Sequence, residues 1–116
     1  MNQNTITYNI HDDKILLAIV RQIVATADPD KIILFGSRAI GKEVADSDYD
    51  VCVLKKNLKK RRKLAQKIYL NLDIMASVDV IVNTPKRYLE IKQNPFLIYH
   101  YIEKYGKVVY EKQEVN

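Results

Sequence analysis

Two short apolar runs, joined by a polar connection, set most of what this chain can become. Ile32 to Phe35 ends abruptly at Gly36-Ser37; ten residues follow, Arg38 to Ser47; then Asp48-Tyr49-Asp50 leads straight into Val51 to Leu54. Short apolar runs bounded by turn residues read as strands. The stretch therefore predicts a strand, a turn with a short helical piece, and a second strand. Side chains alternate between faces along a strand, so Asp48 and Asp50 project from one face. Two carboxylates held that close repel unless something neutralises them. A divalent cation is the natural partner, because hard cations take carboxylate oxygens.

The first half of the stretch suits an anion instead. Gly36 has no side chain, so a ligand can approach its backbone closely. Ser37 stands where a helix can start, and its hydroxyl and nearby N–H groups could cradle a phosphate. Arg38 and Lys42 lie beside that cradle, as phosphate contacts or as solvated cations. A phosphate site next to a cation site is what a metal-bound nucleoside triphosphate requires.

Further along, Ser77 to Val82 is a β-branched strand interrupted by Asp79. Strands are depleted in aspartate, and an unpaired buried charge is costly, so Asp79 faces solvent, pairs with a lysine, or serves a site.

Gly-Ser, ten residues, then Asp-x-Asp resembles the signature of the nucleotidyltransferase superfamily of the DNA polymerase beta type. The chain is most similar to the minimal nucleotidyltransferases, small single domains often paired with HEPN toxins. The likeness runs from about Lys31 to Glu111 and takes in Val78-Asp79-Val80-Ile81-Val82 and Gly106-Lys107-Val108-Val109-Tyr110-Glu111. It implies a small mixed β-sheet flanked by helices, with Asp79 as a third metal-binding carboxylate beside Asp48 and Asp50. It implies two Mg2+ ions, ATP as substrate, and Gly36 and Ser37 on the β- and γ-phosphates. It also implies an antitoxin that transfers AMP to a tyrosine hydroxyl of a HEPN-type toxin. Two alternatives stand beside this: an antitoxin that silences its partner by contact alone, and a transferase acting on RNA.

The remaining residues fit one α/β (α+β) domain over residues 1–116. Ile15, Leu16, Ile19, Val20, Ile23 and Val24 recur at helical spacing, which predicts a helix from about Asp12 to Thr26, ended by Asp28-Pro29-Asp30. Leu64, Ala65, Ile68 and Leu72 mark a second helix. Thr84-Pro85 reads as the cap and first residue of a third. Asn94-Pro95 repeats that signal ahead of a helix from Phe96 to Tyr105, with Gly106 as a left-handed terminator. A short last strand is expected at Lys107 to Tyr110.

The composition excludes several classes. No apolar run approaches a membrane span, and Met1 to Asn9 lacks the apolar segment of a signal peptide. One cysteine, Cys52, permits neither a disulfide framework nor a cysteine-based zinc site, so the cytoplasm is the expected home. Asp46, Asp48 and Asp50 imitate the start of an EF-hand loop, but Val51 and Asn57 stand where it needs Gly and Glu. No Walker A loop is present. His11 and His100 have no partner at ligand spacing. Tyr99, Tyr101 and Tyr105 are expected to divide between core and surface, and Cys52 to be a small core residue.

A net charge of +5 favours anionic partners. Seven of the nine residues from Lys55 to Lys63 are basic. The run reads as a solvated helix end or as a docking surface for an acidic partner or RNA. The sequence does not decide whether the domain forms an oligomer.

Overall fold

The computed structural model describes residues 4–5 and 13–113; the expectations for His11 and Asp12 lie outside the described residues. The first helix, α1 (Lys14–Ala27), follows a two-residue strand, β1 (Asn4–Thr5). Asp13 caps α1, its carboxylate accepting from the Leu16 N–H at 3.0 Å, and the helix ends at Asp28 in the left-handed conformation. Its apolar stripe, Leu16, Ile19, Val20 and Ile23, is buried.

Next come β2 (Lys31–Phe35) and β3 (Tyr49–Leu54), then α2 (Arg61–Asn71), β4 (Val78–Asn83), α3 (Pro85–Ile91), α4 (Ile98–Tyr105) and β5 (Lys107–Lys112). The sheet order is β1-β5-β2-β3-β4. Among the described strands only β3 and β4 run parallel, and α2 makes the crossover that such a pair requires. The expected mixed sheet flanked by helices is therefore what the chain forms.

Alternation along the strands splits the core in two. Ile32, Leu34, Val51, Val53, Val80 and Val82 pack under α1 and α2, while Ile33, Phe35, Cys52 and Leu54 pack under Tyr88 of α3 and Ile102 of α4. Cys52 is fully buried, as expected, and burial pushes its thiol up to about 12. Tyr99 packs against the second cluster and Tyr105 is exposed. His100 is a surface residue whose ring Nδ1 lies 3.2 Å from the Lys92 carbonyl.

Thr84 and Pro85 start α3 as read, with the Arg87 N–H donating to Thr84 Oγ1 at 3.1 Å. Three local expectations fail. No helix forms after Gly36; residues 37–41 are turns. The fourth helix starts at Ile98, not Phe96, because Asn94 spends its side chain on a turn, accepting from the Phe96 N–H at 3.0 Å. Gly106 is extended (φ −70°, ψ 160°), not left-handed. It is small for another reason: a Cβ there would lie 2.5 Å from the Ile102 carbonyl oxygen and 2.7 Å from Ile33 Cγ2. The glycine lets α4 descend onto β2. β1, at the sheet edge beside β5, was not anticipated.

Candidate active site

β2 ends at Phe35, directly opposite Asp50 of β3, and Asp50 in turn stands opposite Asp79 of β4. The parallel register therefore brings two of the three predicted acids together, though 28 residues separate them in sequence. When Asp50 carries its proton, its carboxyl can donate to Asp79, which helps to hold that proton. Burial pushes the Asp50 carboxyl up to about 6, and the charges of Asp79 and Asp48 add to that rise. Asp48 is exposed and sits just before β3, on the Asp50 side of the strand by alternation. The arrangement is a close carboxyl pair with a third acid at its rim. Among the described residues, no group of three His, Cys, Asp or Glu side chains stands ready to hold a metal ion. The pair is drawn together and Asp48 acts on it through charge.

Gly36 makes the turn out of β2 with φ +77°, a conformation that L side chains rarely adopt. A Cβ there would also collide with Asp50 Oδ2. Gly36 thus serves the acids as well as the turn: it is the absence of a side chain that leaves room for the Asp50 carboxylate. Beyond it the chain coils tightly. Ala39 N–H donates to the Gly36 carbonyl at 3.1 Å, and Ile40 and Lys42 N–H groups donate to the Ser37 carbonyl at 3.3 and 3.0 Å. The N–H groups of Ser37 and Arg38 find no acceptor among the described residues. They remain as the donors that a phosphate would need.

Arg38 has work of its own. Its Nε donates to the Ser47 carbonyl at 3.0 Å and its Nη2 to the Ala45 carbonyl at 3.4 Å, so it ties the outgoing turn to the returning loop. The Val44 N–H donates to Ser47 Oγ at 2.8 Å and tightens the same loop. The guanidinium also lies 3.9 Å from the centre of the Tyr49 ring, within cation–π range. Lys42 is exposed at the end of the turn.

The sequence reading gave no role to Tyr49, the middle residue of Asp-x-Asp. Alternation sends it to the opposite face from the acids, into the core. Its hydroxyl donates to both Asp13 carboxylate oxygens at 3.1 Å. Burial, then this hydrogen bond, raises its pKa. A continuous set of contacts thus runs from the first turn of α1 through Asp13, Tyr49 and Arg38 to the loop that delivers Asp48. The alternating pattern was the available signal for Tyr49; nothing in the sequence pairs it with Asp13.

The polymerase beta nucleotidyltransferase family model matches residues 17–115. The chain belongs to that family. The match takes in the Gly36 turn and all three acids. A solved structure described as "Crystal structure of the toxin-antitoxin with AMP-PNP" has a TM-score of 0.51 to this domain at 24% identity, over 84% of this chain and 73% of that one. At that identity the likeness is one of fold. No curated protein sequence matches. No helix among the described residues is long and apolar enough to cross a membrane.

Proposed function

We propose that this nucleotidyltransferase-family domain transfers AMP from ATP to a tyrosine hydroxyl of a partner toxin of the HEPN type, and so silences it. The observation that carries the reading is the Asp50–Asp79 pair, set in register beside the Gly36 turn. Asp50 gives up its proton only against the neighbouring charges of Asp79 and Asp48, and a bound cation would relieve that repulsion. The donor set is all oxygen and suits Mg2+. Two such ions on Asp48, Asp50 and Asp79 would neutralise triphosphate charge and favour loss of the acceptor's proton.

The chain's own residues supply the rest. The Ser37 and Arg38 N–H groups and the Ser37 hydroxyl receive the β- and γ-phosphates, and Gly36 keeps the approach open. Lys42, on the exposed side of the turn, adds charge for the triphosphate. Arg38 holds the loop shape and presents its charge beside the turn. A tyrosine hydroxyl, with a pKa near 10, must lose its proton as it attacks the α-phosphorus. Asp79 is the exposed member of the acid pair and is placed to accept that proton. The new bond joins the tyrosine oxygen to AMP, and pyrophosphate leaves in line.

The structural neighbour, a toxin–antitoxin assembly with AMP-PNP, supports this choice of acceptor and donor by likeness of fold. The test is mass spectrometry of a candidate partner toxin after incubation with this protein, ATP and Mg2+. The expected product is a tyrosine carrying one AMP. A partner inhibited without modification favours silencing by contact, and a labelled RNA favours the RNA-directed reading.

A further inference from the structure

β4 is the last strand of the sheet on its side, and its free edge is lined in an uncommon way. In the parallel ladder the carbonyls of Ser77 and Asn83 face β3, accepting from the Tyr49 and Lys55 N–H groups at 2.9 and 3.0 Å. By alternation, Val78, Val80 and Val82 turn their backbone groups outward. Val80 demonstrates this: its N–H donates to the Tyr69 hydroxyl at 2.7 Å, and that hydroxyl reaches back to the Val80 carbonyl at 3.5 Å. Tyr69 of α2 therefore plugs one position of the edge. Toward Val82 the edge opens into a groove of about 230 Å³ lined by Arg61, Arg62, Ala65, Val80, Val82 and Tyr99, among others. The first turn of α2 forms one wall and Tyr99 of α4 the other.

The charge on that wall is unanswered. Lys59 to Lys63 are five consecutive exposed cations, and none of them forms an ion pair among the described residues. Lys60 at the cap position makes no side-chain capping bond, and no acidic residue stands in the first turn of α2. The chain thus sets cations where the helix dipole already disfavours them. Exposed strand edges are usually blunted because they invite another strand. Here the edge combines outward backbone groups, an apolar floor and a positive wall.

We propose that this groove is a docking site for an acidic extended segment of a partner protein, which adds as a strand beside Val82. The backbone groups of the segment pair with the edge and its carboxylates meet Arg61 and Arg62. The occupant is a peptide because a nucleic acid has no backbone pattern to match a strand edge. Aromatic stacking is also poorly served, since Tyr99 is half-buried and its hydroxyl is held by Asn83 Nδ2 at 3.1 Å. This deepens the proposed reading by naming how a partner is held; it rests on that reading only for the partner's identity, since the groove lies on the edge and the acids at the strand starts.

The probe is a fluorescein-labelled ten-residue peptide alternating Glu with Val, titrated into the full chain at low salt by anisotropy, with amide hydrogen exchange in parallel. Binding should weaken roughly tenfold in the double variant Arg61→Glu/Arg62→Glu, and by less in Arg61→Ala/Arg62→Ala. The Val82 amide should exchange more slowly with the peptide bound. A peptide of the same charge with alternate N-methylated amides should bind at least about tenfold more weakly, having lost its donors. Equal binding of the N-methylated peptide, or equal binding to the charge-reversed protein, overturns the proposal. So does tighter binding of a 20-nucleotide single-stranded RNA than of the peptide. None of these outcomes depends on whether AMP is transferred.

Discussion

The two ends of the central strands carry the same kinds of charge in opposite arrangements. At the Phe35–Asp50–Asp79 end, carboxyl faces carboxyl and the Asp50 proton is held up to about pH 6. At the Lys31–Leu54–Asn83 end the acids are answered within the fold: Glu111, Glu103 and Asp28 by cations, and Asp30 by the Lys56 backbone N–H at 2.7 Å. Lys31 pairs with Glu111 at 3.4 Å, Lys92 with Glu103 at 3.2 Å and Lys112 with Asp28 at 3.0 Å. Glu103 also accepts from the Tyr88 hydroxyl at 2.8 Å, which, with Lys92, lowers its pKa. This end also holds a cavity of about 430 Å³, lined by charges that are already answered. The contrast separates acids answered within the fold from acids left facing one another.

The sharpest break of that contrast is Asp50→Asn. Transfer should fall by about a hundredfold or more, the scale of losing a principal electrostatic contact with a transition state. The metal-free protein should nonetheless melt higher at pH 8. The folded state holds the Asp50 proton to about pH 6, against an ordinary 3.8, so it binds more protons than the unfolded chain between those values. Stability from this group is therefore lost as pH rises through that window, and the variant's advantage should be absent below about pH 4 and full above about pH 7. Melting curves from pH 4 to 8 check the sign. An Asp50→Asn protein with full transfer activity would refute the assignment.

Gly36→Val tests the same end through the backbone. The left-handed turn and the collision with Asp50 should cost about 2 kcal/mol in urea unfolding, more than any single ion pair at the other end. Nucleotide affinity by titration calorimetry should fall further than in Arg38→Ala, because Arg38 already spends its donors on Ser47 and Ala45. Unchanged affinity in Gly36→Val would leave the turn with a purely structural role.

The smallest effect belongs to the matched end. Lys112→Ala removes an ion pair that is partly exposed on both sides, and should cost under about 1 kcal/mol, less at high salt, with transfer unchanged. A larger loss of transfer there would blur the two ends into one.

The sequence carried the strands, the acids and Gly36 because each is a local pattern: an apolar run, an alternating pair, a glycine before a polar connection. The facing of Asp50 and Asp79 followed only from the family likeness, since register between parallel strands depends on α2 and the crossover, not on either strand's residues. The missed helix after Gly36 has a local cause. Serine can cap a helix, but Arg38 is pulled back to the carbonyls of Ala45 and Ser47, and the segment closes into turns. Gly106 misled in the other direction. Glycine after a helix most often signals φ above zero, and here it signals contact with Ile33 and Ile102, which only the packed α4 creates.

The position of β5 sets a schedule. The strand comes last among the described elements, yet it lies inside the sheet, between β1 and β2. During synthesis β2 can find β3 at once, but its other edge stays bare until residues 107–112 have left the ribosome. That edge offers Ile32, Ile33 and Leu34, an apolar run of the sort that pairs with neighbouring chains. A nascent or truncated chain stopping before Lys107 should therefore be prone to self-association, and closure of the sheet awaits a contact between distant parts of the polypeptide, which slows folding.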